Sequence, residues 1–467
     1  MSSSGDIKSA PALLPQTSPL QPLYPAGHAI QLYTTIDGRP QAVLVPVHKR
    51  KSLARRLLRG SLFLFLFFWI VHGLHRVFHA RHWFSRHKDF DIGDRDYYYD
   101  SPSDLVLENC VEGAGWSGRK DDGYFSSATA TFDVDLSADN IYLLSRGRFS
   151  SGTVNVTTSS KQPKETATID VVAKYRREGV LDWAKACLTS RHQNQKGVGI
   201  FTPIWRRAPH RHEGTILHFE TTITLPEGVS ISGFETDVPN TSQTVGDLAS
   251  KVGFAAVSLK GTNAPITVGA LSAVKGHVHT TNAGIRGSFN TTSSLILETT
   301  NGPINIGVGL HDKGEHPTLF AHTTNAHFDG RLSLTTSSGA GGNFSVDTTT
   351  TNSRLSVSFL DAPLDSGLKY HAKSTNGRVD VTLHPTYEGD FNISTSRSSK
   401  ALVNFLPGPD PSGQGRHRAT SGHSDKGSDS GQTRWEDPKN PGHGRKDSGT
   451  VVMSTSNAPI VLNIPGL

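Results

Sequence analysis

The sequence predicts an all-β fold, a β-solenoid-like stack of short strands with Thr-Asn turns, preceded by a single transmembrane helix. Three observations lead to this prediction: a recurring Thr-Asn turn motif, alternating apolar runs after its copies, and an apolar segment near the N-terminus. Only 35% of the 467 residues are apolar and 19% are charged. Ser, Thr, Gly and Asn supply much of the remainder, which is typical of β-proteins with many turns.

The turn motif recurs seven times, and its second residue is always asparagine: Asn263, Asn282, Asn301, Asn325, Asn352, Asn376 and Asn457. The first six copies are 19, 19, 24, 27 and 24 residues apart. A period of about 20–25 residues indicates a stacked repeat architecture. Asparagine tolerates the left-handed conformation and can close an Asx-turn, so we assign these seven residues as structural turn residues.

Short apolar runs with period two follow most of the turns, and they predict the strands of the stack. They are Ile266/Val268, Ile304/Ile306, Leu355/Val357, Val379/Val381 and Ile460/Leu462. Each repeat yields about two short strands, which bury an apolar face only when repeats stack. Upstream, alternation predicts strands over 129–136, 153–156, 166–175 and 218–225, and residues 181–188 could form a short helix.

The apolar segment at 60–76 is interpreted as a transmembrane signal anchor. Its core, LFLFLFFWIV, is ten residues long, and the wider apolar stretch 60–74 is still short for a span. About 15 residues cover about 22 Å as a helix, against a hydrocarbon core of about 30 Å. The alternatives are a cleaved signal peptide, disfavoured by some 60 preceding residues, and a buried core helix, disfavoured by flanking arginines. More basic residues precede the span than follow it, which predicts a cytosolic N-terminus and a type II topology.

Charge and sequons agree with this topology. Residues 1–60 carry eight Lys/Arg and two Asp/Glu, and the other 407 residues carry 39 of each sign. The main domain therefore has no net charge that would attract nucleic acid, and no nucleic-acid partner is expected. Five sequons, all after the apolar segment, predict glycosylation in a lumenal or extracellular domain; they are Asn155, Asn240, Asn290, Asn343 and Asn392. Cys110 and Cys187 could form a disulfide there, or remain two buried thiols.

The predicted organisation has six parts. Residues 1–59 form a disordered basic cytosolic tail, 60–76 the anchor, and 77–100 a His/Arg-rich juxtamembrane stalk. Residues 101–406 form the β-repeat ectodomain, 407–449 a disordered insertion rich in Gly, Ser and charge, and 450–467 the final strands.

The repeats resemble a known family. Leu225-Pro226-Glu227-Gly228 ends a strand and precedes serial Thr-Asn-Ala/Gly-x-Ile-x-Val units, as at Asn301 and Asn376. This pattern is similar to the DUF4097-type adhesin domain, an adhesin-like β-repeat, over about 215–400 and 450–464. The resemblance implies a β-solenoid-like stack and implies no catalytic residues.

No specific catalytic, cofactor or metal motif is present, so we expect a non-catalytic protein without a cofactor. The expected role is structural or adhesive binding of an extracellular or lumenal polymer or protein. Two alternatives stay open: a secretory-pathway glycan-active enzyme on a β-helix, and a membrane-tethered pH or metal sensor. The sensor would use the histidine stripe His72, His75, His79 and His82, which shares one helical face. His277 and His279 alternate on one predicted strand and could begin a metal site, although a solvated polar face is the simpler interpretation.

Overall fold

A computed structural model describes residues 32–36, 39–43, 97–121, 123, 125–176, 178–192, 194–205, 216–396, 398–439 and 449–466. The chain divides into two units, Met1–Gly93 and Asp94–Leu467. In the described part of the first unit, β1 (Leu32–Ile36) and β2 (Arg39–Val43) pair as an antiparallel hairpin.

The second unit begins with a mixed, mainly antiparallel section. Its strands are β3 (Tyr97–Tyr99), β4 (Leu105–Glu112), β5 (Ser117–Asp121), β6 (Ser126–Asp135), β7 (Asn140–Arg146), β8 (Ser151–Ser159), β9 (Thr166–Tyr175), β10 (Lys185–Arg191), β11 (Gln195–Phe201), β12 (Pro203–Trp205) and β13 (Leu217–Pro226). A 3₁₀ turn covers Gly113–Gly115, and one short helix, α1, covers Glu178–Leu181. The four upstream strands that alternation predicts are confirmed. The short helix that residues 181–188 could form is not found there, because α1 ends at Leu181 and β10 begins at Lys185.

A section of mainly parallel strands follows. Its strands are β14 (Val229–Asp237), β15 (Asn240–Asp247), β16 (Val252–Lys260), β17 (Ile266–Thr280), β18 (Ile285–Thr299), β19 (Ile304–Asp312), β20 (Thr318–Thr323), β21 (Phe328–Thr336), β22 (Asn343–Thr350), β23 (Leu355–Asp361), β24 (Gly367–Lys373), β25 (Val379–Thr382), β26 (Gly389–Ser394), β27 (Ala401–Leu406), β28 (His417–Asp425), β29 (Ser428–Glu436), β30 (Gly449–Ser454) and β31 (Ile460–Pro465).

The parallel strands form two sheets. Sheet A contains, in spatial order, β7, β14, β16, the second halves of β17 and β18, β20, β22, β24, β30 and β26. Sheet B contains β8, β15, the first halves of β17 and β18, β19, β21, β23, β25, β31 and β27. Each coil passes from sheet A through a Thr-Asn turn into sheet B, and adjacent coils pair in parallel register. This is a β-solenoid, as the turn period predicts.

The core lies between the two sheets. The first apolar residue after each turn stacks on its counterpart in the next coil, as in the register Ile266, Ile285, Ile304, Phe328, Leu355, Val379 and Ile460. All seven are fully buried. The five apolar runs that the sequence analysis named all point inward. Burial of such columns is the main driving force that holds successive coils together.

The fold class needs one correction, which concerns its helical part. In the described part of the chain no helix is long and apolar enough to cross a membrane, so the transmembrane helix that we predicted ahead of the β-domain is not supported. The physical weakness is the length of the apolar run, about 22 Å as a helix, which falls short of a hydrocarbon core of about 30 Å. The described residues do not include the segment 60–76. They also leave out residues 77–96 of the predicted stalk and all of the predicted tail except β1 and β2.

The segment 407–449 differs from the predicted disordered insertion, because residues 417–436 within it form a β-hairpin that closes the solenoid. The hairpin β28–β29 pairs antiparallel with β26, the last strand of sheet A. Arg418 of β28 is buried and donates to the carbonyl oxygens of Pro385 (2.5 Å) and Tyr387 (2.9 Å). Trp435 of β29 is buried, and its indole nitrogen donates to Pro385 O at 2.9 Å. The hairpin thus covers an edge strand that would otherwise present unpaired backbone groups.

Candidate functional site

The seven predicted turn asparagines form one continuous ladder. In each step the side-chain amide nitrogen donates to the side-chain oxygen of the asparagine one coil earlier. The distances are 2.7 Å from Asn282 to Asn263, 2.7 Å from Asn301 to Asn282, 2.6 Å from Asn325 to Asn301, 2.7 Å from Asn352 to Asn325, 2.8 Å from Asn376 to Asn352 and 2.7 Å from Asn457 to Asn376. Such amide ladders reinforce stacked parallel strands.

The ladder corrects the conformation that we expected for the turns. None of the ladder asparagines has a positive φ; the non-glycine residues that do, among those described, are Asn194, His316 and Asp365. The side chains bond along the stack instead of closing Asx-turns. Backbone groups support them, since the amides of both turn residues donate to one carbonyl of the preceding coil, as Thr300 (3.2 Å) and Asn301 (2.8 Å) do to Thr281.

Asn240, which the sequence analysis assigned only as a glycosylation site, is the first rung of the ladder. Its side-chain oxygen accepts from Asn263 at 2.7 Å. A Pro-Asn pair stands here in place of Thr-Asn, which is why the motif did not reveal it. Because a glycan attaches through the amide nitrogen, the oxygen of Asn240 would remain available to Asn263.

The other four sequon asparagines are exposed on strands. Asn155 (β8) and Asn290 (β18) point outward from sheet B. Asn343 is the first residue of β22, at a corner of the coil, and Asn392 points outward from β26 at the C-terminal end of sheet A. Exposure is necessary for glycosylation but does not demonstrate it. The glycosylation of all five asparagines therefore stays a prediction.

The two cysteines are joined by a disulfide, Cys110 on β4 to Cys187 on β10, in directly paired positions. They belong to a small cluster with Tyr142, Leu144 and Phe201, on the side of β7 opposite the core residues Ile141 and Leu143. Burial raises the pKa of the Tyr142 phenol. Beyond this cluster, the outward side chains of sheet A from β16 to β24 are all partly or fully exposed among the described residues.

We call the outer side of sheet A from β16 to β24 face A. Strand register arranges its side chains in columns. One column is Lys275, Ser294, Thr318, Ser345 and Lys369; the next is His277, Ile296, Phe320, Asp347 and His371; the third is His279, Glu298, His322, Thr349 and Lys373. Ile296 and Phe320 are register partners at the centre and are 37% and 39% exposed.

Imidazoles and carboxylates pair on face A. The Nε2 of His277 lies 3.2 Å from Glu298 Oε2, and the Nδ1 of His279 lies 3.8 Å from the same oxygen. Asp347 Oδ2 lies 2.9 Å from Nδ1 of His371. Within the residues that the structure describes, no three His, Cys, Asp or Glu side chains are arranged to hold a metal ion. The sensor stripe from His72 to His82 lies outside those residues.

A shallow open groove of about 500 Å³ joins face A to the N-terminal section. Its lining includes Asn140, Gln195, Glu235, Ser258, Lys275 and His277. Glu235 is held there by Asn140 (3.2 Å), Arg191 (3.4 Å) and Lys260 (3.5 Å). These groups both donate and accept hydrogen bonds, so the groove suits a ligand rich in hydroxyl groups.

No family model matches the chain, including any for the DUF4097-type adhesins that its repeats resemble, and no curated protein matches it. Among solved structures, it is similar to one described as a putative cell adhesion protein from Clostridium sporogenes, at 9% identity and a TM-score of 0.15. That match covers 72% of this chain and 99% of the other. With so low a TM-score it carries no argument about function.

Proposed function

We propose that the domain 97–466 is a non-catalytic, adhesin-like binding module that contacts a polymer or another protein through face A. The observation that carries this proposal is the exposed apolar pair Ile296–Phe320 at the centre of a regular, otherwise polar sheet face. An aromatic ring surrounded by hydrogen-bonding groups is the usual composition of a recognition surface.

The positions of the sequons support the choice of this face. Asn155 and Asn290 would place glycans on the outer side of sheet B, and Asn392 would place one beyond the end of face A. Asn343 stands at the corner where β22 begins. None of the five belongs to the three columns of face A, so glycosylation would leave those columns open to a partner.

The pairing of the carboxylates supports a binding role over catalysis. Glycan hydrolysis generally needs two carboxyl groups that act together across one bond. On face A, Glu298 is held by His277 and His279, and Asp347 is held by His371. In the groove, Glu235 is held by Arg191 and Lys260. Side chains held in this way favour a surface that binds without reacting.

The disulfide supports an oxidising compartment. Bridges such as Cys110–Cys187 persist in the secretory pathway and outside the cell, and are rare in the cytosol. We therefore place the domain in the lumen of the secretory pathway or at the cell exterior, where polymers and matrix proteins are available as partners.

The test is a binding screen of the purified full-length chain against immobilised polysaccharides and extracellular matrix proteins, with two matched variants. Phe320→Ser removes the ring from face A, whereas Leu360→Ser removes an apolar side chain that is 53% exposed on β23 of sheet B. We expect Phe320→Ser to weaken binding of a partner by about tenfold or more and Leu360→Ser to leave it unchanged. Equal effects of the two variants, or no binding across the screen, would contradict the proposal.

A further inference from the structure

Two lysines mark the ends of one column on face A. Lys275 on β17 and Lys369 on β24 belong to the same register, with Ser294, Thr318 and Ser345 between them. Four strand-to-strand steps of about 4.8 Å separate the two lysines by about 19 Å. The three hydroxyl groups in between form a polar row that runs across the strands.

The neighbouring column also has a basic side chain at each end. His277 and His371 stand beside the two lysines, and Ile296 and Phe320 stand beside the central hydroxyls. Face A therefore has a lysine and a histidine at each end. In its middle, the apolar pair Ile296 and Phe320 lies beside the row of hydroxyl groups. A chain of sugars offers the matching features, since its rings present C–H faces to apolar side chains and its hydroxyls meet serine and threonine.

The charges on face A indicate that this sugar chain is acidic. Lys260 is engaged by Glu235 at 3.5 Å. Among the residues that the structure describes, Lys275, Lys369 and Lys373 have no ion-pair partner. The carboxylates of face A, Glu298 and Asp347, are already in contact with imidazoles. The unpaired ammonium groups leave an excess of positive charge that an anionic ligand would complement.

Asp347 limits how closely negative charges can follow one another along that ligand. It lies in the central column between Phe320 and His371, where it would repel a polymer with a negative charge on every unit. The lysines at the two ends instead fit acidic groups at intervals along the chain. Nucleic acid, with a phosphate on each nucleotide and bases that need a series of aromatic platforms, fits this face less well.

We propose that face A binds an acidic polysaccharide in which uronate sugars alternate with neutral ones, lying across the strands from Lys275 to Lys369. This inference rests on the proposed function, because it names the class of polymer that the same face would bind. Carboxylates pair with the two lysines, and neutral rings pack on Ile296 and Phe320. The groove beside Glu235 receives the sugars that extend past Lys275.

The test uses the full-length chain and hyaluronan oligosaccharides as the probe, with carboxyl-reduced hyaluronan as the matched neutral polymer. Lys275→Gln/Lys369→Gln removes both end charges. Lys120→Gln/Lys426→Gln removes the same charge from exposed positions on β5 and in the β28–β29 turn. We expect about tenfold weaker binding for the first double variant and for the neutral polymer, and no change for the second.

Three outcomes would overturn the inference: equal affinity for the carboxyl-reduced polymer, equal effects of the two double variants, or equal affinity for single-stranded RNA of matched length. The proposed function would survive each of them if a neutral glycan or a protein bound in a manner that Phe320→Ser abolished. Loss of hyaluronan binding in Lys275→Gln/Lys369→Gln with a normal thermal transition would exclude misfolding as the cause.

Discussion

The side chain of Asn457 donates a 2.7 Å hydrogen bond to that of Asn376, although 81 residues separate them in sequence. The reason is that the last coil is inserted between two coils that precede it in the chain. Strand β30 lies between β24 and β26, and β31 lies between β25 and β27. In sequence order, the terminal coil β26–β27 and the hairpin β28–β29 therefore come before the coil β30–β31. In the stack, β30–β31 lies between the terminal coil and the coil β24–β25.

We predict that Asn352→Ala lowers the free energy of unfolding by about 1–2 kcal/mol, because it removes two solvent-exposed hydrogen bonds of modest individual value. Asn352 donates to Asn325 at 2.7 Å and accepts from Asn376 at 2.8 Å. Urea unfolding of the full-length chain measures the change.

The matched control for the ladder is Asn305→Ala, on the outer side of β19. Its side chain has no hydrogen bond among those that the structure describes, so we expect a change within about 0.5 kcal/mol. If the two variants were equally stable, the ladder would contribute nothing beyond the backbone bonds of the turns.

A second prediction concerns the inserted coil. Ile460 of β31 is fully buried, and Ile460→Ala should lower the free energy of unfolding by about 2–5 kcal/mol. Because β30 and β31 connect the terminal coil to the rest, amide protection in β26 and β27 should fall more than in β19 and β21. Hydrogen exchange by mass spectrometry measures both. The neighbouring Val461→Ala, on the outward side, should preserve protection; uniform loss in all four strands would contradict the prediction.

The solenoid could be predicted from sequence because its signals are local and repeated. Each Thr-Asn pair and the apolar residues that follow it recur within one coil, so the turns and the inward column from Ile266 to Ile460 could be named in advance. Two features that set the ends could not be named. The position of β30 between β24 and β26 depends on which strands pair, and the order of the strands along the sequence does not reveal that pairing. The hairpin is polar and rich in Gly and Ser, and its anchors, Arg418 and Trp435, act on carbonyls about 30–50 residues away.

The candidate site was only partly predictable. His277 and His279 could be named as candidates from the sequence because they alternate on one predicted strand. Ile296 and Phe320 could not, because each is a single apolar residue among polar ones. Only the register of β18 with β20 brings them together. A surface that forms across coils depends on coil length, and the coils differ by several residues.

A third prediction concerns acid and Asp410, which lies in the loop between β27 and the closing hairpin. Burial tends to raise the pKa of Asp410, but hydrogen bonds from Arg416, at 2.9 Å, and from the backbone amides of Ser412 and Arg416 outweigh it and hold the pKa well below its usual range. A carboxyl group whose pKa is depressed in the folded state adds stability above its unfolded pKa, and this contribution is lost as the pH falls through the folded value.

Asp410→Asn should therefore destabilise the chain at pH 7, and the difference from the wild type should shrink as the pH falls below about 4. Denaturant unfolding of both proteins at several pH values measures it. Asp425→Asn changes a side chain that is 70% exposed at the end of β28 and serves as the control. A difference that stayed constant from pH 7 to pH 3 would show that Asp410 acts through shape instead of charge.

The last prediction concerns the disulfide. Cys110 and Cys187 are 77 residues apart, so the bridge closes a large loop, and its removal should cost about 2–5 kcal/mol. The loss should be concentrated where the bridge lies, at β4 and β10, because the ladder and the inward columns of the parallel coils do not depend on it. We expect Cys110→Ser/Cys187→Ser to lower the thermal midpoint and to raise hydrogen exchange in β4, β10 and β11, while β19 to β25 keep their protection. Reductant should lower the midpoint of the wild type and leave that of the double variant unchanged. The contrary outcome is a wild-type midpoint that stays the same after reductant, when alkylation shows that both thiols have become free. That outcome would mean that strand pairing alone holds β4 in place.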